Sequence, residues 1–430
     1  MTTKCIRRAA AGSNSNPWII CFIAGLFFFY EFIQMSVFNA IGGSLLKDFS
    51  IHMASLGTIA ASYSYTMVIF LFPAGVLLDS FSPKKILICA FSLSILGTLL
   101  FSFSTTAHYA EICRMISGVG GAFAFIGCIK IASRWFGGSK MSLVVGLLIT
   151  FAFLGGAIAQ TPFTVSTQLI GWRNTLRMLA LFGLISILLI SLFVQDGKKS
   201  LSLSADKNVH TSFFKKIIFS LLNMQTFIGG IYIMLMNLPI VLLGALWGGF
   251  YLTQARHFSH IQSSYIDTML FFGIMAGSPL FGFISDKMQK RKPVLFFGSI
   301  FTALISFLLF GQFSSPWVYA ILFLLLGFFS SAQGVGYPCI VENNSIDLAG
   351  TASGIASIII MGGGALFKVL FGWVLDQHWH GAFENKIPLY SSRAFNHAMI
   401  ILPASFLTAF LCVFFIRETL CQPLKINENG

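Results

Sequence analysis

A short motif occurs twice in this chain, each time between long apolar runs, and it constrains the fold more than any other feature. The first copy is Gly75-Val76-Leu77-Leu78-Asp79, with Lys84 and Lys85 five and six residues after the acid. The second is Gly282-Phe283-Ile284-Ser285-Asp286, with Arg291 and Lys292 at the same offsets. A glycine four residues before an acid, then a tight polar turn and paired bases, describes a short loop joining two helices. Its return 207 residues later implies a chain built from two related halves.

Composition says what surrounds those helices. Of 430 residues 56% are apolar and only 10% are charged, whereas a soluble domain carries about 25% charge; the mean hydropathy is +0.83. Most of this chain is therefore suited to lipid. The net charge of +13 does not indicate nucleic acid, because the bases fall in loops between apolar runs and the aromatics are mostly Phe. The eight cysteines form no Cys-x-x-Cys pair and lie mostly inside apolar stretches, so they read as small hydrophobes and not as a metal site or disulfide framework. The basic N-terminus (Lys4, Arg7, Arg8) precedes an apolar run from Trp18 that is too long for a signal-peptide core, and it reads as a retained first helix.

Spans of about 20 residues predict an all-α membrane protein with twelve helices, at 18–46, 55–78, 86–106, 109–133, 141–166, 175–194, 222–252, 262–284, 293–313, 316–340, 349–375 and 395–417. The longest polar stretch, 195–216, separates a first six-helix half (1–194) from a second (217–430). Lys and Arg number 18 on the side of both termini and 6 on the other, so the termini and linker are expected in the cytoplasm. The halves match again at Gly146, Gly155, Gly156 and Ala157, which recur as Gly354, Gly363, Gly364 and Ala365 at an offset of 208. Small residues let membrane helices approach closely, and repeated halves of this kind are the plan of secondary transporters.

These features resemble the major facilitator superfamily over essentially the whole chain. Its loop signature is matched by Gly75, Asp79, Lys84 and Lys85, although Ser80 replaces the base after the acid and the turn glycine is missing from Phe81-Ser82-Pro83. The fourth span carries Arg114-x-x-x-Gly118-x-Gly120, and Arg134-Trp135-Phe136 and Gly171-Trp172-Arg173 also match family positions. A narrower resemblance, to phagosomal nutrient transporters of intracellular bacteria, rests on Phe28-Phe29-Tyr30-Glu31-Phe32, Glu111-Ile112-Cys113-Arg114 and Ala124 to Lys130. That subgroup is associated with amino acids and nucleosides; a base is expected there near Gln34, and this chain has none. The resemblance implies two six-helix bundles that rock about a central site.

Charges inside spans are costly and mark function. Glu31 and Arg114 fall at overlapping depths and are expected to face each other as a proton-coupling pair. Lys368 and, nearer an interface, Lys130 suit an anionic group; Glu111 and Asp267 read as structural. Tyr30, Gln34, Tyr63, Asn237, Trp247, Gln333 and Tyr337 are further polar candidates, of which Tyr30, Gln34, Asn237, Gln333 and Tyr337, with Arg114 and Lys368, form the expected substrate site. Asn237-Leu238-Pro239, Gly248-Gly249 and Gly334 to Pro338 read as points where helices bend. Gly75, Asp79, Lys84, Lys85, Gly282, Asp286 and Arg291 form the expected conformational gate, with each acid accepting bonds from the opposite half.

The expected function is a secondary active transporter of the bacterial inner membrane. It would import a small polar solute such as an amino acid, driven by protons. A nucleoside or siderophore importer and a drug or metabolite efflux pump are the alternatives. No nucleophile–base arrangement, Walker-type loop or metal spacing appears, so neither enzyme activity nor a cofactor is expected. The expected partners are the solute, protons and the lipid bilayer, with no nucleic acid, and the protein is expected to act as a monomer.

Overall fold

A computed structural model describes residues 16–136, 138–197, 223–344 and 348–422. The expected linker beyond 197 and the basic N-terminal residues lie outside the described residues. The chain begins with α1 (Pro17–Ser36), α2 (Phe38–Phe49), α3 (Met53–Ser80), α4 (Pro83–Ser102), α5 (Ala107–Gly121), α6 (Ala124–Trp135), α7 (Gly138–Ile158) and α8 (Thr161–Phe193). After the undescribed stretch come α9 (Met224–Met236), π-helical turns at Pro239–Trp247 and Tyr251–Ala255 flanking the short α10 (Gly248–Phe250), α11 (His260–Met288) and α12 (Lys292–Leu308). Then follow α13 (Pro316–Ser330), a 3₁₀ turn at Ser331–Val335, α14 (Gly336–Glu342), α15 (Ala349–Gln377), α16 (Ser392–Met399) and α17 (Ile401–Phe415). A two-residue antiparallel pair, β1 (Phe383–Glu384) with β2 (Ile387–Pro388), closes the loop after α15.

Among the described residues ten helical stretches are long and apolar enough to cross a membrane, one of them running 51 residues from Leu143 to Phe193, and Lys292–Leu308 is a shorter apolar helix. The architecture is thus an all-α, multi-span membrane fold. Backbone chemistry sets the ends of its helices. Asn16 and Ser82 cap α1 and α4, each followed by proline at the first helical position, where its missing N–H costs nothing. Ser259 and Gln262 form a reciprocal capping box on α11.

Three boundaries differ from the sequence expectation. The first span is two helices meeting at Val37. The loop expected between 166 and 175 is helical, and the chain changes direction instead at Gly171 (φ 81°, ψ 157°), a conformation open to glycine. The expected bends are changes of helix type. The 222–252 span turns π-helical from Pro239, and the 316–340 span tightens to 3₁₀ at Ser331.

Helices alternate between two faces. We call near the face that carries Pro17, the loop before Pro83, and Phe415; the far face carries the loops after Phe49, Ser102, Ala255 and Gln377. On the near face the two parts of the chain repeat each other's contacts. Asp196, beyond α8, accepts from Ser82 Oγ and from Lys84 N (2.8 Å). Glu418, beyond α17, accepts from Arg291 N (2.8 Å) and Lys292 N (2.9 Å). Lys84 Nζ donates to Ser191 O (2.7 Å), as Lys292 Nζ does to Phe414 O (3.4 Å). Trp135 and Asn343, again 208 apart, donate to Gln195 O (2.9 Å) and Arg417 O (3.2 Å). Each helix that opens with unpaired N–H groups is thus held by an acid at the end of another helix, the arrangement that a helix N-terminus favours.

Candidate functional site

Four helices of the first half converge on a buried polar cluster. Glu31 on α1 is 2% exposed. Its carboxylate accepts from the Tyr63 hydroxyl of α3 and from Ser94 Oγ of α4 (2.6 Å). Arg114 on α5, 1% exposed, donates through Nη1 to Gln34 Oε1 (2.8 Å) and through Nη2 to Gln34 O (3.1 Å). Its guanidinium lies over the Phe38 ring (4.8 Å) and the Tyr63 ring (4.6 Å), a cation–π clamp in a desolvated site. Glycines make the cluster possible. A Cβ at Gly121 would collide with the Tyr63 hydroxyl and stand 2.9 Å from Glu31 Oε2.

The expected direct pair of Glu31 with Arg114 is therefore not formed. Glu31 spends its oxygens on two hydroxyls and Arg114 directs Nη1 and Nη2 to Gln34 while its buried Nε has no hydrogen-bond partner, so Tyr63 stands between them, bonded to one and stacked on the other. Both charges reach the same Tyr63 side chain, but the sequence carried no information on which way each side chain turns.

The remaining sequence candidates are distributed as follows. Gln34 is a positioning residue: besides holding Arg114, its Nε2 donates to Tyr30 Oη (3.1 Å) and to Thr98 Oγ1. The expected substrate contact at Tyr30 is corrected by the same geometry. Tyr30 is fully buried, donates to Thr98 Oγ1 (2.9 Å) and packs against Phe91, so it faces α4 and not the second half. Lys368 on α15 is 2% exposed; its ammonium makes no ion pair or hydrogen bond among the described residues, and its charge lies close enough to interact with Arg114. Asn237 is half-buried where α9 gives way to the π turns, Gln333 is buried in the 3₁₀ turn, and Tyr337 is exposed on α14. Trp247 donates to Lys368 O (3.3 Å) and stacks on Phe371. Lys130 is half-buried toward the near end of α6, and Glu111 pairs with the exposed His108 (3.3 Å).

A set of hydrogen bonds joins the first and second halves toward the far face. Asn39 Nδ2 donates to Leu243 O (2.7 Å) and Gly244 O (2.9 Å), and Asn39 Oδ1 accepts from Gly249 N (3.2 Å). Gln160 Nε2 also donates to Gly244 O (2.7 Å). These carbonyls belong to the π turns, whose irregular ladder is completed by amides from the opposite half. Asp376 at the end of α15 accepts from Met53 N (3.2 Å) and Ala54 N (2.8 Å) at the start of α3. Where α3 crosses α15, backbones nearly touch: a Cβ at Gly57 would stand 2.9 Å from Lys368 O, and one at Gly372 2.6 Å from Met53 O. Toward the near face Gly75, Gly146, Gly282 and Gly354 meet nothing within 4 Å. The close contacts between the halves described above lie at the far face.

The loop acids were expected to bond across the halves in the outward-facing state; in the present conformation Asp286 bonds within its own half. Asp286 pairs with Arg291 (2.6 Å), which also bonds Glu342 (2.7 Å), all within the second half. The Glu342 carboxylate leads the influences that hold the Arg291 guanidinium above its ordinary range, against partial burial. The Asp79 side chain lies outside the described residues; Lys85 is exposed.

Asn39, Gln160 and Asp376 were missed from sequence. For Asp376 a signal existed: an acid in the last turn of its own helix is disfavoured by that helix, which calls for a partner elsewhere.

The Major Facilitator Superfamily model matches residues 20–250 and 241–420. A probable sulfoacetate transporter, SauU of Cupriavidus necator, is 22% identical over 376 residues, covering 82% of this chain and 86% of that protein. The glycerol-3-phosphate transporter of Bacillus subtilis is 24% identical over 368 residues, covering 79% and 82%. Among solved structures, a bacterial homologue of the human lysosomal transporter Spinster, inward-facing and occupied, superposes with a TM-score of 0.76 at 14% identity over 94% of this chain and 97% of its own. With a family match across nearly the whole chain and an all-α multi-span fold, this is a secondary transporter of small polar solutes and not an enzyme, and it belongs to the Major Facilitator Superfamily.

Proposed function

We propose that the cargo is a small organic anion bearing a carboxylate, sulfonate or phosphate. One observation carries this reading: two buried cations, Arg114 from the first half and Lys368 from the second, lie within electrostatic reach of each other and neither has a carboxylate in ion-pair contact. Like charges brought together in a desolvated site repel unless an anion joins them. Glu31 attracts Arg114 from a distance but makes no ion-pair contact with it, its oxygens being engaged by hydroxyls. That favours an anion over the amino acid expected from sequence, because Glu31, the acid beside Arg114, already has both oxygens engaged and offers none to an ammonium. The transporters of sulfoacetate and glycerol-3-phosphate among the relatives carry cargo of this class. The narrower likeness to phagosomal nutrient transporters rests on its short stretches alone.

The proposed architecture is two six-helix bundles, counting Leu143–Phe193 as two spans and Lys292–Leu308 as one. Both termini lie in the cytoplasm of a bacterial cell, from the charge bias, and the protein works as a monomer. The near face is then cytoplasmic and the conformation inward-facing. Asp79, Asp286 and their bases act on the rocking equilibrium. Glu31 carries the coupling proton: an anion that draws on Arg114 disturbs Tyr63, and so the hydroxyl that stabilises the Glu31 carboxylate. Proteoliposomes offered labelled glycerol phosphate, a sulfonate, a hexuronate, leucine and a nucleoside test the cargo. Concentration of one of the anions is expected; leucine or the nucleoside concentrated with no anion transported would overturn the reading. Glu31→Gln is expected to abolish accumulation under a proton gradient while sparing exchange of labelled for unlabelled anion. Reporter fusions within 198–216 and after Gly430 are expected to score as cytoplasmic.

A further inference from the structure

Asp267 lies on α11, seven residues into the helix from the far face. It is 0% exposed, and neither carboxylate oxygen has a hydrogen-bond partner. Its Oδ1 lies against Gly248, where any Cβ would collide with it. Beside it, a Cβ built on Gly249 would stand 3.5 Å from Asn39 O, 3.6 Å from Asn39 Oδ1 and 3.8 Å from Asp267 Oδ2. Three oxygens, two from the first half and one from the second, therefore lie within 3.8 Å of one point that Gly249 leaves empty.

Nothing with charge offsets the acid. The elements packed against α11 bring Tyr319 on α13 and Tyr251 in the second π turn, Arg173 and Arg177 on α8, Lys292 on α12 and Lys140 on α7. None of the described side chains among them acts on Asp267 electrostatically. An ionised carboxylate sealed here without a partner is strongly unfavourable, and it is sealed only while α2 and the π turns are held together by Asn39.

We propose that Asp267, Asn39 and the backbone at Gly248–Gly249 form a binding site for a small monovalent cation, a proton or Na⁺, and that its occupation is what allows the far face to close. The site is separate from Glu31 and does not depend on which solute is carried. Neutralising Asp267 removes the charge that closure would otherwise bury, so the closed fraction rises with cation binding. When the far face opens, Asn39 leaves the π turns, the oxygens separate and the cation is released to that side.

The test is the distance between spin labels at Lys47→Cys and Ile261→Cys, exposed positions at the far face of the two halves, in the otherwise cysteine-free full-length protein in nanodiscs. Acid pH, or Na⁺ at alkaline pH, is expected to hold the short-distance population. Alkaline medium with K⁺ as the only alkali cation is expected to raise the long-to-short ratio by about tenfold. Asp267→Asn is expected to stay short in every medium. Gly249→Ala, whose Cβ fills the oxygen cradle at ordinary contact distances, distinguishes the ligands. If Na⁺ closes the wild-type protein and fails on this variant, Na⁺ occupies the site; if acid alone closes both, the proton does. A wild-type distance that is the same in all media overturns the proposal, as does an Asp267→Asn protein that keeps the wild-type dependence.

Discussion

In the first half Glu31 and Arg114 are held by neighbours, one by two hydroxyls and the other by Gln34 and two aromatic faces. In the second half Lys368 and Asp267 lie as deep in the protein; neither Asp267 oxygen has a hydrogen-bond partner, and Lys368 makes no ion pair among the described residues. Leaving aside the Arg291–Glu342 pair at the near face, each half buries one acid and one base, and only the first brings groups to stabilise them. A charge stabilised within its own half survives any rocking motion of that half. A charge without such neighbours is tolerable only when the opposite half, a solute or an ion supplies what is missing. The second half is accordingly the one whose polar groups report on loading.

The sharpest way to break this comparison is at the two cations. Arg114→Ala is expected to reduce anion binding by at least about a hundredfold, because it removes a fixed guanidinium and frees Gln34, whose amide then lacks its partner. Calorimetric titration of the purified variant with the transported anion checks this, and wild-type affinity would remove Arg114 from the site.

Lys368→Met should weaken binding less, by about tenfold, and should have the opposite effect on stability to Arg114→Met. Removing an unpartnered buried charge raises the melting temperature, whereas removing a partnered one lowers it. Thermal unfolding in one detergent reads both, and two shifts of the same sign would mean that the halves do not differ as described.

Asp376→Asn comes next. It keeps the shape of the far-face contact and removes the charge at the start of α3, which should cost the closed state about 1 kcal/mol, or roughly fivefold in the closed-to-open ratio. Distance measurements across the far face check this, with no change expected in anion affinity for the closed form.

Glu418→Gln should show the smallest effect, and that effect should depend on pH. Partial burial opposes ionisation of Glu418, but the backbone N–H groups of Arg291, Lys292, Leu420 and Thr419 together outweigh it and hold the carboxyl below its ordinary 4.5. A depressed value means that the contribution to stability is present above the unfolded value and is lost as pH falls through the folded one. Wild type should therefore melt slightly above the variant at pH 7, and the gap should close below about pH 4. A gap that is constant with pH would assign it to packing.

Much of the outline was legible in the sequence. Apolar runs of spanning length, a loop motif repeated after 207 residues and glycines repeated after 208 are local facts, and lipid leaves an apolar chain few choices besides helices. The depth of each charge was readable for the same reason, since a helix rises by a fixed amount per residue. Partnership was not. That Glu31 turns to Tyr63 and Ser94, that Arg114 turns to Gln34, and that Lys368 and Asp267 turn to nobody depends on how α1, α3, α4, α5, α11 and α15 are rotated about their own axes. That rotation is set by which small residues meet at each crossing. The π turns after Pro239 belong to the same category. Proline and the glycine pair announced a bend, but the carbonyls of Leu243 and Gly244 become a docking site only because Asn39 and Gln160 arrive from the other half. Sequence determined the elements and the level of every buried charge, because those are properties of one helix in lipid. Which charges are satisfied was decided by tertiary structure, because a hydrogen bond between helices needs two side chains to face each other within about 3 Å.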